Sequence, residues 1–368
     1  MYRIILTLLI LLCCVALAPA QERTVVMQHQ LNVDLVAHSR DVDTYANGSA
    51  VQLYVRDLTD TDQRELWALK VDANGNLLWN RQIATTDSSL RIVSSRIVAL
   101  PDGGAAVAWS VNETSAWEVE PHGIHAARIT AIGTVLWTRS GGYGRPEREK
   151  LVNDIALLNN YVIGISLWME GPDGDPVHYL AKLRYNGTIL SLTTIDVPLT
   201  TVDDVQLTGN ELVFLGLVGT TPSIYKTDHQ GNVIWNSTLN TGLLLHTVSR
   251  RPDGGFYVTA NIAGEDGIRL VALDSMGAEE WHTDYLPGTN GITESVVQSL
   301  HNNMAFVRTY DRSVDLFSAS GDRLWSGLNN WWVHTEYLHP IKLYTNGDVL
   351  LGQEENYTTV SLIRLSNQ

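Results

Sequence analysis

Leu66-Trp67-Ala68-Leu69-Lys70-Val71-Asp72-Ala73-Asn74-Gly75-Asn76-Leu77-Leu78-Trp79 carries the pattern that decides the fold. Apolar residues alternate on both sides of a polar turn, as in two antiparallel strands, and Gly75 can take positive φ because it has no Cβ. Asn74-Gly75 is the pair that favours a two-residue hairpin turn. The phrase returns at Ala126…Gly133…Trp137, at Leu180…Gly187 with Ser191 in the tryptophan place, and at Ile224…Gly231…Trp235. Shorter copies end at Gly277…Trp281 and Gly321…Trp325. A unit repeated at a spacing of about 50 residues marks a solenoid, a propeller or an array.

A second family of hairpins lies between these copies. Its turns are Asn47-Gly48, Asp102-Gly103-Gly104, Asn159-Asn160, Gly209-Asn210, Asp253-Gly254-Gly255, Asn302-Asn303 and Asn346-Gly347. Two hairpins per period make four strands per period, A to D. There are seven A–B turns but six C–D turns, and the last repeat stops after strand C at Ser361–Leu365. The missing strand D stands at the other end of the chain. Thr24–Leu31 aligns with Asn76–Ile83 and places Met27 where Trp79 stands. The split repeat predicts an all-β fold, a seven-bladed β-propeller of four-stranded antiparallel blades, with its ring closed by the N-terminal strand. Helical periodicity and linker composition are absent, so 21–368 reads as a single domain and as a monomer.

The first residues are set apart from this fold. Arg3 precedes an apolar run from Ile4 to Leu17, and Ala18-Pro19-Ala20 is a small-residue cleavage signal. Residues 1–20 read as a signal peptide, cleaved after Ala20, which predicts a secreted or periplasmic protein without a transmembrane segment. Cys13 and Cys14 fall inside the leader, and Leu12 is too large for the position before a lipidated cysteine. The mature chain therefore has no disulfide, thiolate metal site or cysteine nucleophile. The full chain carries a formal charge of −15, an acidic surface that excludes nucleic acid as a partner.

The pattern apolar-x-x-x-Asp-x-x-Gly-x-apolar-apolar-Trp, seen at Asp72…Gly75…Trp79 and Asp228…Gly231…Trp235, and at Asp274…Gly277…Trp281 with Glu279-Glu280 in the two apolar places, resembles the pyrroloquinoline-quinone-like β-propeller repeat. The resemblance covers essentially the whole mature chain. It implies structural roles for Trp79, Trp137, Trp235, Trp281 and Trp325 between blades, beside the turn glycines Gly75, Gly133, Gly187, Gly231, Gly277 and Gly321. Quinone-dependent members have eight blades, a threonine before the turn glycine and a vicinal cysteine pair. The mature chain has neither the threonine nor a cysteine, and its repeats make seven blades, so no cofactor is expected.

His-Glu-x-x-His, Gly-x-Ser-x-Gly, P-loop and Cys/His zinc spacings are all missing. Catalytic residues and metal ligands are accordingly none. Strand parity supplies the remaining clue. The A–B and C–D turns share one end of the disc and are short. The B–C and D–A links share the other end, where the long segments fall. Variable loops on a rigid scaffold carry binding function. The candidate binding residues there are Trp117, Glu118, Glu120, His122, Tyr143, Arg145, Trp331, Trp332 and His334. The expectation is a non-catalytic exported scaffold for a protein, peptide or glycan. The alternative is a quinone- or metal-dependent oxidoreductase, or a polysaccharide lyase, with its site at the channel mouth.

Overall fold

The computed structural model describes residues 25–32, 36–58, 63–86, 90–113, 123–141, 150–159, 161–170, 176–240, 242–263, 267–285, 295–299, 302–309, 313–328, 341–344, 346–355 and 359–366. Every regular element among them is a strand. The chain opens with β1 (Val25–Asn32). Blade 1 follows as β2 (Ala37–Thr44), β3 (Ala50–Leu58), β4 (Gln63–Val71) and β5 (Leu77–Thr85). Blade 2 is β6 (Leu90–Ala99), β7 (Ala105–Glu113), β8 (Gly123–Ile129) and β9 (Val135–Gly141). Blade 3 is β10 (Lys150–Asn159), β11 (Val162–Glu170), β12 (Pro176–Arg184) and β13 (Ile189–Ile195). Blade 4 is β14 (Thr201–Leu207), β15 (Glu211–Val218), β16 (Thr221–Asp228) and β17 (Val233–Thr238). Blade 5 is β18 (Leu243–Arg250), β19 (Phe256–Ile262), β20 (Ile268–Leu273) and β21 (Glu279–Tyr285). Blade 6 is β22 (Ser295–Ser299), β23 (Ala305–Thr309), β24 (Ser313–Phe317) and β25 (Arg323–Leu328). Blade 7 has β26 (Ile341–Leu343), β27 (Val349–Glu355) and β28 (Thr359–Leu365).

Blade 7 takes its fourth strand from the start of the chain. β1 pairs with β28 antiparallel, with Gln28 opposite Ile363 and Leu31 opposite Val360. The seven sheets are therefore each four-stranded, and the ring closes through the N-terminal strand. Met27 lies opposite Arg364, the register that Trp79 holds with Lys70 and Ser191 with Lys182.

The apolar core is divided into seven clusters, and each one straddles two adjacent blades. Alternation explains this arrangement: a strand between two neighbours buries both of its faces. Thus Val51 and Leu53 of β3 pack toward Val107 of blade 2, whereas Tyr54 packs toward Leu362 of blade 7. On the outer strands only the residue facing the next blade is covered. Trp79 is 5% exposed, while Leu77 and Leu78 are 43% and 53% exposed.

The outer tryptophans lie across the C–D turns of the following blades. A Cβ on Gly133 would stand 2.8 Å from the Trp79 ring, and a Cβ on Gly277 would stand 2.5 Å from that of Trp235. Trp79, Trp137 and Trp281 also donate their indole N–H to Ala131, Tyr185 and Ala319, each two residues before a turn glycine, at 3.0, 2.7 and 2.9 Å. Met27 meets Gly75 in the same manner, at 2.8 Å from such a Cβ. The turns themselves differ from a two-residue Asn-Gly turn. Gly75 takes φ of 87° and Gly187 takes 80°, while Asn74 and Asn186 stay at negative φ. In blade 1 the reason is Asp72, whose carboxylate accepts the N–H groups of Asn74 and Asn76 at 2.9 and 2.8 Å. Asp228 and Asp274 cap their turns in the same way. These bonds replace the second left-handed residue by a side-chain cap.

Two outcomes follow for stability. Deleting residues 21–32 should lower the melting temperature steeply, since it exposes β28 as an edge and uncovers Gly75; an unchanged transition would refute closure through β1. Gly254→Ala should cost about 1 kcal/mol, the penalty of a left-handed L-residue, because only Ser275 lies nearby, at 3.6 Å. Gly133→Ala should cost clearly more in urea unfolding, because Trp79 must also move.

Candidate functional site

The two ends of the disc are built differently. At the turn end the backbone is tied down: Lys70 Nζ donates to the Gly103 carbonyl at 2.6 Å, and Tyr45 Oη donates to that of Gly104 at 2.9 Å. The other end is where B strands pass to C strands and D strands to the next A strand. Segments 114–122, 142–149, 286–294 and 329–340 join strands that end there. Trp117, Glu118, Glu120, His122, Tyr143, Arg145, Trp331, Trp332 and His334 belong to these segments and lie outside the described residues.

Between the two ends runs a central channel of about 580 Å³, lined by the A strand of every blade. Neighbouring A strands share no backbone ladder. Side chains bridge them instead. Asp41 accepts the N–H of Ile97 at 2.8 Å and Asp43 that of Ala99 at 2.7 Å, so blade 1 clasps blade 2 at two rungs. Asp204 and Gln206 hold Val248 and Arg250 of blade 5, at 2.9 and 2.7 Å. Thr247 and Ser249 hold Val297 and Ser299 of blade 6, both at 3.0 Å. Ser94 takes Val152 at 2.7 Å, and Asp154 takes Leu207 at 2.6 Å. Each aspartate here also accepts the N–H of the residue after it, which fixes its rotamer.

The clasps depend on a recurring irregularity. Register slips by one residue at Arg40 in β2, Val93 in β6, Asn153 in β10, Asp203 in β14 and His246 in β18. Such a bulge re-aims side chains. The residue after it becomes the acceptor of the clasp: Asp41, Ser94, Asp154, Asp204 or Thr247. Four bulge residues, Arg40, Asn153, Asp203 and His246, line the channel. They fall in the first half of their strands, toward the end where the long links enter. Sequence reasoning missed this set. Its signal was a polar residue or pair recurring once per repeat within an inner strand, as in Asn153-Asp154 and Asp203-Asp204.

The electrostatics separate the groups. Burial pushes the Asp154 carboxyl up to about 6, against the pull of Lys342 and the Leu207 N–H. Asp203 reaches channel solvent but is ringed by protein, and burial with the neighbouring Asp204 raises it to about 6 as well. Asp43 and Asp204 are raised by burial. Burial opposes the charge of Lys342, but Asp41, Asp43 and Asp154 outweigh it and keep the amine protonated. Burial lowers His246, against the opposing pull of its hydrogen bond with Asn261. Among the described residues no three acidic or histidine side chains gather as a metal site would need.

No family model and no curated protein sequence matches this chain. Among solved structures it is similar to "YCF48 bound to D1 peptide", with a TM-score of 0.55 and 11% identity, over 92% of this chain and 99% of that one. At that identity the likeness shows the β-propeller fold.

Two substitutions test the channel wall. Asp41→Ala should destabilise the protein by about 2 kcal/mol in urea unfolding, since it leaves the Ile97 N–H buried without its acceptor. Asp154 has a folded pKa above its unfolded one, so its share of stability is complete below about pH 4 and disappears as pH rises through about 6. The stability of the wild type relative to Asp154→Asn should therefore fall across that window; parallel profiles would show that Asp154 has the same pKa folded and unfolded.

Proposed function

We propose that this chain is an exported, non-catalytic propeller scaffold that binds a protein or peptide through the end carrying the long links. The observation that carries this reading is the asymmetry of the disc. At one end short turns are locked to neighbouring blades by Trp79, Trp137, Lys70 and Tyr45. At the other end insertions leave every ladder intact and add little loop-closure free energy. The sequence places Trp117, Tyr143, Arg145, Trp331 and Trp332 in those insertions, and aromatic and arginine side chains dominate protein recognition. A propeller of similar fold holds a peptide, which supports a polypeptide partner. The leader 1–20 supports export, and the Asp-x-x-Gly-x-apolar-apolar-Trp period supports a place among pyrroloquinoline-quinone-like repeats.

Crosslinking of the mature protein within the exported protein fraction tests the reading. Alanine at Trp117, Glu120, Tyr143, Arg145 or Trp332 should reduce partner capture about tenfold, as for residues central to an interface. The melting temperature should move by less than about 2 °C, as for exposed positions. Unfolding of these variants, or undiminished capture, would remove the binding surface from that end. N-terminal sequencing of the exported protein should begin at Gln21.

A further inference from the structure

Exposed apolar side chains gather at one end of the disc. Among the described residues, every large one except Leu244 lies at the turn end. Most stand at the first two positions of an outer strand: Leu77 and Leu78, Ile189 and Leu190, Val233 and Ile234. Val25 and Val26 open β1 in the same way, and blades 2 and 6 add Leu136 and Leu324. Blade 5 interrupts the series with Glu279 and Glu280. Met276 is nevertheless exposed in its C–D turn, as Ile132 is in that of blade 2.

The joints between blades do not use these residues. Trp79 and Trp235, one position further along, are buried over the next turn, and the pair before each stays outside the joint. An outer strand is a sheet edge, where charge is the usual protection against unwanted pairing. Six of the seven edges here instead begin with exposed apolar residues. Each stands within two residues of its turn, so they share one level around the rim. A ring of separate apolar points at one level suits a flat partner better than a compact one. The chain also approaches a membrane at this end. In the proposed export, the leader 1–20 joins Val25 through residues 21–24 alone, a reach of about 14 Å. Val25 opens its strand at the turn end. The C–D turns carry the carboxylates of Asp72, Asp228 and Asp274, and the formal charge is −15, which disfavours an anionic lipid surface.

We propose that the turn end rests on a bilayer of zwitterionic lipid, with its apolar belt at the boundary between headgroups and acyl chains. The long links then face away from the membrane. Flotation of the mature protein with phosphatidylcholine vesicles tests this. Binding should be saturable, no tighter with phosphatidylglycerol present, and unchanged between about 0.1 and about 0.5 M salt, which screens charge pairing. Leu78→Gln combined with Ile234→Gln should weaken binding at least about tenfold, because two apolar contacts are lost at unchanged charge. Val26→Gln with Leu136→Gln should repeat the loss on two other blades, and carries the test if the first pair does not fold. Leu244→Gln, exposed at the opposite end, should bind as the wild type does. Absence of flotation, a need for anionic lipid, or equal binding by both belt variants would overturn the proposal. So would an equal loss in Leu244→Gln. A dimer in sedimentation that the belt variants dissociate would also overturn it, by assigning the belt to a second copy of the chain.

Discussion

The ring has no backbone ladder between blades. Seven separate sheets are held side by side by what their side chains do at two radii. Near the axis, acceptors such as Asp41, Asp204 and Thr247 take the N–H groups of the next inner strand. An inner strand is an edge strand, and its unpaired N–H groups must find partners or remain orphaned. At the rim, an aromatic residue lies over the turn of the next blade, and burial of a side chain that large stabilises by about 3–5 kcal/mol. Between the two radii lies an apolar wedge. Every other feature, including the open channel and the freedom of one face to lengthen, depends on these side-chain joints.

The rim was legible in the sequence and the axis was not. The glycine and the tryptophan are each nearly irreplaceable, one for its positive φ and the other for its area, so they recur as recognisable letters. Met27 could be aligned with Trp79 because position alone sufficed, and the register bears the alignment out. At the axis the requirement is only for an acceptor of suitable reach. Asp41, Ser94, Asp154, Asp204 and Thr247 all satisfy it, and the bulge shifts the strand pattern by one residue in each case. A requirement met by several residue types leaves no consensus. The turn chemistry was half legible: the glycine was evident, but the Asp72 cap that spares Asn74 a left-handed conformation was not.

The same side chains serve stability and the character of the channel. A carboxylate that clasps a neighbouring strand also brings negative charge to the axis, and burial then raises the pKa of Asp154. Lys342 answers that charge from blade 7. The polar interior is therefore a consequence of closing the ring with side chains.

Closure through β1 and β28 has a consequence for chain connectivity. Val25 stands opposite Leu365, so the first and last strands meet where the seventh C–D turn would otherwise be. A short linker with an aspartate cap and a left-handed glycine would complete that turn and place a glycine beneath Trp325, as Gly321 lies beneath Trp281. The backbone would then be a circle with seven equivalent places to cut. Circular permutation at any other C–D turn would exchange which blade is shared between first and last strands, while every interface between blades stayed the same. The order in which the chain is synthesised is thus separable from the architecture that it makes.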